Sequence, residues 1–239
     1  MKVLVLFSGT GSIEKIFDLN KDTECRGVDN DKHFKPYYLV DILTWDYKTE
    51  LKDWVPDYIH SSPVCKEFSN LKNTGKCNTR HIGLGTSLLT KSLEIIEYIK
   101  NINSNLYFTI ENPKGLMRKM ECMKPYNRIT TSYCKYGFKY QKDTDFWFGG
   151  FDLKLKPQCR KCIPCVDKKI YGYHTVRIGL SNKKDTGTYK RSGVNQIGCS
   201  QYFKELKVDN PDIKGYSDTY MRYRIPSLLI TDIKNCIEN

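Results

Sequence analysis

Three stretches of this 239-residue chain carry side chains able to do chemistry. The first, Ser62-Pro-Val-Cys-Lys-Glu67, sets the thiol of Cys65 in a loop stiffened by Pro63. Beside positive charge or amide dipoles such a thiol ionises and becomes a nucleophile, whereas a lone cysteine otherwise serves as a small apolar residue. The second, Tyr107-Phe-Thr-Ile-Glu-Asn-Pro113, delivers Glu111 at the end of an apolar run. A carboxylate there is either a strand-end cap or an acid–base group beside the thiol. The third, Phe7-Ser-Gly-Thr-Gly-Ser12, follows another apolar run, and its glycines let the backbone approach a ligand where a helix begins. Asp29, closing Gly27-Val-Asp29, has the place of an acid that takes ribose hydroxyls, and Asp41 could cap an adenine amino group. The turn lacks the full G-x-G-x-x-G spacing, so a single nucleoside-like ligand is favoured over a dinucleotide. The plainer alternative is that these residues only build turns and caps.

Two further segments are chemically marked. Cys159-Arg-Lys-Cys-Ile-Pro-Cys165, followed by His174, spaces cysteines three apart in a loop rich in Lys and Pro. This pattern predicts a tetrahedral zinc site formed by Cys159, Cys162, Cys165 and His174, with Cys199 as a substitute for any one of them. An iron–sulfur cluster is disfavoured, because its fourth cysteine would have to come from far away. The stretch Leu71–His81 is polar and basic and contains Gly75, which suits a lid over an anionic ligand.

These groups need a scaffold, and the apolar pattern supplies one. Short buried strands are predicted at Lys2–Phe7 and near Cys25–Val28, Tyr58–His60 and Leu106–Ile110, with a helix after the glycine turn carrying Ile13, Ile16, Phe17 and Leu19. Leu88–Lys100 has the apolar spacing of an amphipathic helix, and a last helix is expected over Ser227–Cys236, after Pro226. Tyr133–Trp147 reads as a β-hairpin around a basic turn. Alternating strands and helices define an α/β fold with a doubly wound, Rossmann-like sheet. Beyond Gly150 the texture becomes short, polar and aromatic. The expected organisation is therefore a main domain over 1–150, a small irregular Cys-rich region over 151–220, and a segment over 221–239 that returns to the sheet.

Composition narrows the function. With 39% hydrophobic and 28% charged residues the chain folds around a core, and its length fits one main domain with a small appendage. The net charge is +12, and residues 151–239 hold 17 basic against 9 acidic side chains. A polyanion such as nucleic acid is the natural partner of that surplus, although solubility alone would also account for it. Ten cysteines without a leader-like segment point to a reducing, intracellular compartment. No run is long and apolar enough for a membrane span.

In sequence order, Phe7-Ser-Gly-Thr-Gly-Ser12, Ser62-Pro-Val-Cys-Lys-Glu-Phe-Ser69, Ile110-Glu-Asn-Pro113 and Tyr136-Gly-Phe-Lys-Tyr-Gln-Lys142 resemble the successive motifs of C5-cytosine DNA methyltransferases, most of all the compact phage and large-DNA-virus branch. The likeness runs from Lys2 to about Phe148 and resumes at Tyr223-Arg-Ile-Pro-Ser-Leu-Leu-Ile230, similar to the C-terminal motif that completes the cofactor pocket. It implies S-adenosylmethionine as cofactor and duplex DNA as partner, in the host cytoplasm or nucleus if the source is viral. Cys65 would add to C6 of cytosine, turning a poor nucleophile into an enamine able to attack the methyl. Glu111 would hydrogen-bond or protonate N3, with Asn112 supporting the loop, and Lys142 would stand where the family has a base-contacting arginine. Phe7, Ser8, Gly9, Thr10, Gly11, Ser12, Asp29, Asn30, Asp41, Ile42 and Pro63 would surround the cofactor, Gly9 and Gly11 facing its methionine end. The target base would have to leave the duplex to reach the thiol. The family's Pro-Cys pair is here Val64-Cys65, and its Gln-x-Arg-x-Arg element is reduced to Tyr140, Gln141, Lys142, Asp143 and Thr144. Two alternatives stay open: a tRNA cytosine methyltransferase using the same motifs, and a homologue that binds nucleic acid without methylating it.

Overall fold

The computed structural model describes residues 1–68, 82–177, 189–191, 194–209 and 213–239. The basic stretch read as a lid, Leu71–His81, lies outside them.

A seven-stranded sheet organises the chain. Its strands are β1 (Lys2–Leu6), β2 (Glu24–Asp29), β3 (Tyr38–Leu39), β4 (Tyr58–Ser61), β5 (Tyr107–Pro113), β6 (Asn127–Ser132) and β7 (Asp143–Gly149), in the order β3-β2-β1-β4-β5-β7-β6. The first five pair in parallel, and β7 runs antiparallel between β5 and β6. Parallel strands are covered on both faces, so β1 is apolar at every core position. Its Leu4 and Leu6 face one layer with Leu89, Ile95, Ile96 and Ile99 of the long helix Ile82–Ile102. Its Val3 and Val5 face the other, with Phe17 of the short α1 (Glu14–Phe17) and Leu229, Ile230 and Ile233 of the terminal helix Ser227–Glu238. The terminal helix begins after Pro226, whose ring cannot continue a helix backwards but is tolerated at a start. The first helix is shorter than its spacing predicts, and Leu19 lies beyond it, 77% exposed.

The expected hairpin is displaced. Strands β6 and β7 form it, while Tyr133–Tyr136 coil into a 3-10 turn closed by Gly137 in the left-handed region, φ +93°. Tyr133, Cys134 and Tyr136 are all buried within this turn, and the Tyr133 amide donates to Lys142 O at 3.0 Å, which holds the turn against the start of β7.

A smaller core gathers Val176, Cys199, Tyr202, Phe203 and Ile213 around Tyr140, with Met221 of the helix Asp218–Tyr223. Phe151, Leu153 and Leu155 pack instead on the main sheet.

Candidate active site

The chain leaves β1 toward β2 on one side and β4 toward β5 on the other, so a crevice opens past the carboxyl ends of β1 and β4, where open α/β sheets bind ligands. It holds a cavity of about 260 Å³. Into its walls come Phe7, Ser8, Gly9, Thr10, Ser12, Asp29, Asn30, Asp41, Ile42, Pro63, Cys65, Glu111 and Lys142. One sheet edge thus gathers residues spread over most of the main domain.

The turn after β1 is built from left-handed residues: Phe7 at φ +60°, Gly9 at +53° and Gly11 at +64°. Glycine adopts this region freely, but Phe7 does so at a cost, and such strain concentrates at ligand sites. The amide of Gly9 donates to Asp29 Oδ2 at 2.9 Å, which ties the turn to the end of β2. Gly11 shapes the turn without lining the cavity; its amide donates to Ser8 O at 3.1 Å. Beneath, the Ser8 hydroxyl donates to the buried Glu14 carboxyl, which burial lifts to about 7. Asp41 is exposed and its Oδ1 accepts from the Leu43 amide at 3.0 Å.

Cys65 opens a 3-10 turn after Pro63 and Val64. Asn112 Nδ2 donates to Pro63 O at 2.8 Å, so the strand bearing Glu111 also holds the loop bearing the thiol. Burial pushes the Cys65 thiol above its ordinary range, Lys142 pulls it back and Glu111 raises it. The thiol is therefore the resting form, contrary to the lowered value a pre-activated nucleophile would show. Glu111 is buried, accepts from Tyr133 Oη at 2.9 Å, and has Lys142 Nζ at 3.9 Å. Lys142 Nζ also donates to Arg222 O at 3.3 Å and sits 4.5 Å from the centre of the Tyr133 ring.

Several wall residues escaped the sequence reading. His60 and Ser62 border the thiol loop, and His60 is held neutral by burial, its value lowered to about 3. Asp31, Phe34 and Tyr220 close the far side. The repeat Asp29-Asn-Asp31 and the spacing Tyr220…Tyr223 on one helical face were available signals, but nothing local says that these faces meet. Tyr133 was read as strand, so its bond to Glu111 was hidden.

The residues expected to bind a metal assemble differently from expectation. Cys134, Cys159, Cys165 and His174 bring their ligand atoms within 4.8 Å of one another. Cys162 is exposed outside the group, because it sits at the tip of the loop, and Cys134 from the turn after β6 takes its place. Cys199 lies in the small core, its thiol donating to Arg177 O at 3.5 Å.

A glycine-turned, acid-flanked crevice on this strand order defines a Rossmann-like methyltransferase fold. Solved structures of the same fold include the Entamoeba histolytica methyltransferase EhMeth, at TM-score 0.56 and 12% identity over 99% of this chain and 97% of that one. A Spodoptera frugiperda DNMT2 variant superposes at TM-score 0.51 and 14% identity over 100% of this chain and 99% of the other. A probable DNA (cytosine-5)-methyltransferase of frog virus 3 (isolate Goorha) is 32% identical over 157 residues, 62% of this chain and 70% of the viral protein. No family model matches the chain. The chain belongs to the DNA (cytosine-5)-methyltransferase family. Among the described residues no helix is long and apolar enough to cross a membrane.

Proposed function

We propose that this protein transfers a methyl group from S-adenosylmethionine to C5 of cytosine in duplex DNA, with Cys65 as the covalent nucleophile. The observation that carries this reading is the shared cavity: Cys65, Glu111 and Lys142 line it together with Gly9, Asp29 and Asp41. The apolar walls Val28, Ile42 and Ile225 suit a purine ring, the Asp29 carboxylate suits ribose hydroxyls, and the left-handed turn at Gly9 leaves open space where a side chain would otherwise stand. The cofactor supplies a methyl on a sulfonium sulfur. The protein's own residues do the rest. Cys65, once ionised, bonds to C6 as the C5–C6 double bond opens, and after transfer the loss of the C5 proton re-forms that double bond and expels the thiolate; Lys142 favours the ionisation and burial opposes it. Glu111, oriented by Tyr133, meets the pyrimidine N3, and Lys142 offsets charge that develops on the ring. The basic region 151–220 is the proposed target-recognition element, its phosphate contacts offsetting the few kcal/mol of base flipping.

The test is trapping on 5-fluorocytosine duplex DNA with cofactor present. The expected result is a covalent adduct with the wild type and none with Cys65→Ala. Equal failure of both proteins would replace this reading with that of a binding protein. Methylation of total tRNA but not of duplex DNA in a parallel assay would reassign the substrate. Bisulfite sequencing of DNA from an expressing host then reports the recognised bases.

A further inference from the structure

Away from the cavity, three cysteines, one after β6 and two in the smaller region, are placed in a way that core packing does not require. Cys134, Cys159 and Cys165 are each buried and, among the described residues, form a cluster of their own that holds no aliphatic or aromatic buried residue. Cys199, by contrast, is mixed with Tyr202 and Phe203 in the manner of an ordinary apolar side chain. Cys159 Sγ lies 3.6 Å from His174 Nε2. Two atoms bound to one tetrahedral zinc, at about 2.3 Å for sulfur and about 2.0 Å for nitrogen, stand about 3.6 Å apart. That separation fits two ligands sharing one ion. The Cys165 amide donates to Cys159 Sγ at 3.3 Å, the kind of bond that stabilises negative charge on a coordinating sulfur.

We infer that Cys134, Cys159, Cys165 and His174 bind a single structural zinc ion, which clamps the 156–176 segment onto the back of the active site. Three sulfurs and one imidazole close a tetrahedron and leave no open position, which is the pattern of a structural ion. The clamp has a clear attachment. Cys134 follows Tyr133, the donor to Glu111. The Cys159 amide donates to Ser132 Oγ at 2.8 Å, and Gln141, next to Lys142, donates through Nε2 to Cys159 O at 3.2 Å. The ion thereby ties both neighbours of Glu111 to the smaller region. The loop bearing Gln141 and Lys142 is thus braced from behind. The site stands whether or not the protein methylates DNA.

The experiment is metal analysis of the full-length, untagged protein by mass spectrometry, followed by exchange with cobalt(II) and visible spectroscopy. The expected result is one zinc per chain, and on exchange the intense absorption of tetrahedral cobalt with sulfur charge-transfer bands. Cys162→Ser should keep the metal. Cys134→Ser should lower zinc affinity by more than about 100-fold, beyond what losses around a site usually cost. Should Cys134→Ser fail to fold, thiol titration of the wild type decides: Cys134, Cys159 and Cys165 should resist modification until a chelator removes the ion. Substoichiometric metal, iron as the main metal, a disulfide within the group, or a Cys162→Ser protein that loses zinc while Cys134→Ser retains it would each overturn the inference.

Discussion

Tyr220 donates its hydroxyl to Asp31 Oδ2 at 2.8 Å, joining residues 189 apart in sequence across the mouth of the cavity. The Phe34 ring packs edge-on against Tyr220, with centroids 4.7 Å apart, so the contact has an apolar as well as a polar part. The helix Asp218–Tyr223 thus closes a pocket whose floor belongs to the first strands. The Ile225 amide adds a second tie by donating to Ser12 Oγ at 3.3 Å.

Tyr220→Phe removes the hydrogen bond and keeps the ring packing. The bond joins two partly exposed side chains and is weakened by competing water, so its loss should lower cofactor affinity several-fold rather than abolish binding. Calorimetric titration with S-adenosylhomocysteine measures it. Unchanged affinity would show that the closure is independent of the pocket.

Tyr133→Phe should lower kcat by about ten- to a hundredfold while leaving cofactor binding intact, because it strips the donor that orients Glu111. A single-turnover methylation assay separates this from a change in KM. If KM alone moves, Tyr133 orders the DNA rather than the acid.

The Cys65 thiol is raised chiefly by burial, so its ionisation should lag that of an ordinary thiol. Alkylation by iodoacetamide should keep accelerating as pH climbs past about 8.5, the usual thiol value. Lys142→Met should slow the reaction further at every pH below the plateau, since Lys142 is the charge that lowers the value. A plateau near neutral pH would contradict this picture.

Glu14 titrates at about 7 in the folded chain, above its unfolded value of about 4.3, because burial disfavours the carboxylate. The raised value means that the folded form holds its proton where the unfolded form has lost it. Its contribution to stability is therefore complete below about pH 4 and lost as pH rises toward and through about 7. Glu14→Gln keeps a partner for Ser8 and should flatten this fall, giving a higher Tm than wild type at pH 8 and little difference at pH 4.

Gly27 faces the same pair. A Cβ there would stand 2.6 Å from Glu14 Oε1 and 2.7 Å from Ser8 Oγ. Gly27→Ala should cost about 1–3 kcal/mol, the usual range for overpacking, and should weaken cofactor binding by displacing Ser8. Denaturant unfolding and the same calorimetric titration give the two readouts.

Much of this molecule is set by local pattern. Unbroken apolar runs such as Lys2–Leu6 form parallel strands because both faces are buried, and polar groups at their ends must then gather along one edge of the sheet. That is why Gly9, Asp29, Cys65 and Glu111, which type and position single out, line one cavity. The three-residue cysteine spacing likewise marked two of the four residues, Cys159 and Cys165, that gather with Cys134 and His174. The tertiary path decided the partners. Whether Tyr220 reaches Asp31, whether Tyr133 points at Glu111 instead of alternating in a strand, and whether Cys134 or Cys162 joins Cys159, Cys165 and His174 depend on how distant segments pack. Periodicity records which face of an element is buried, but the identity of what covers that face is a property of the assembled chain.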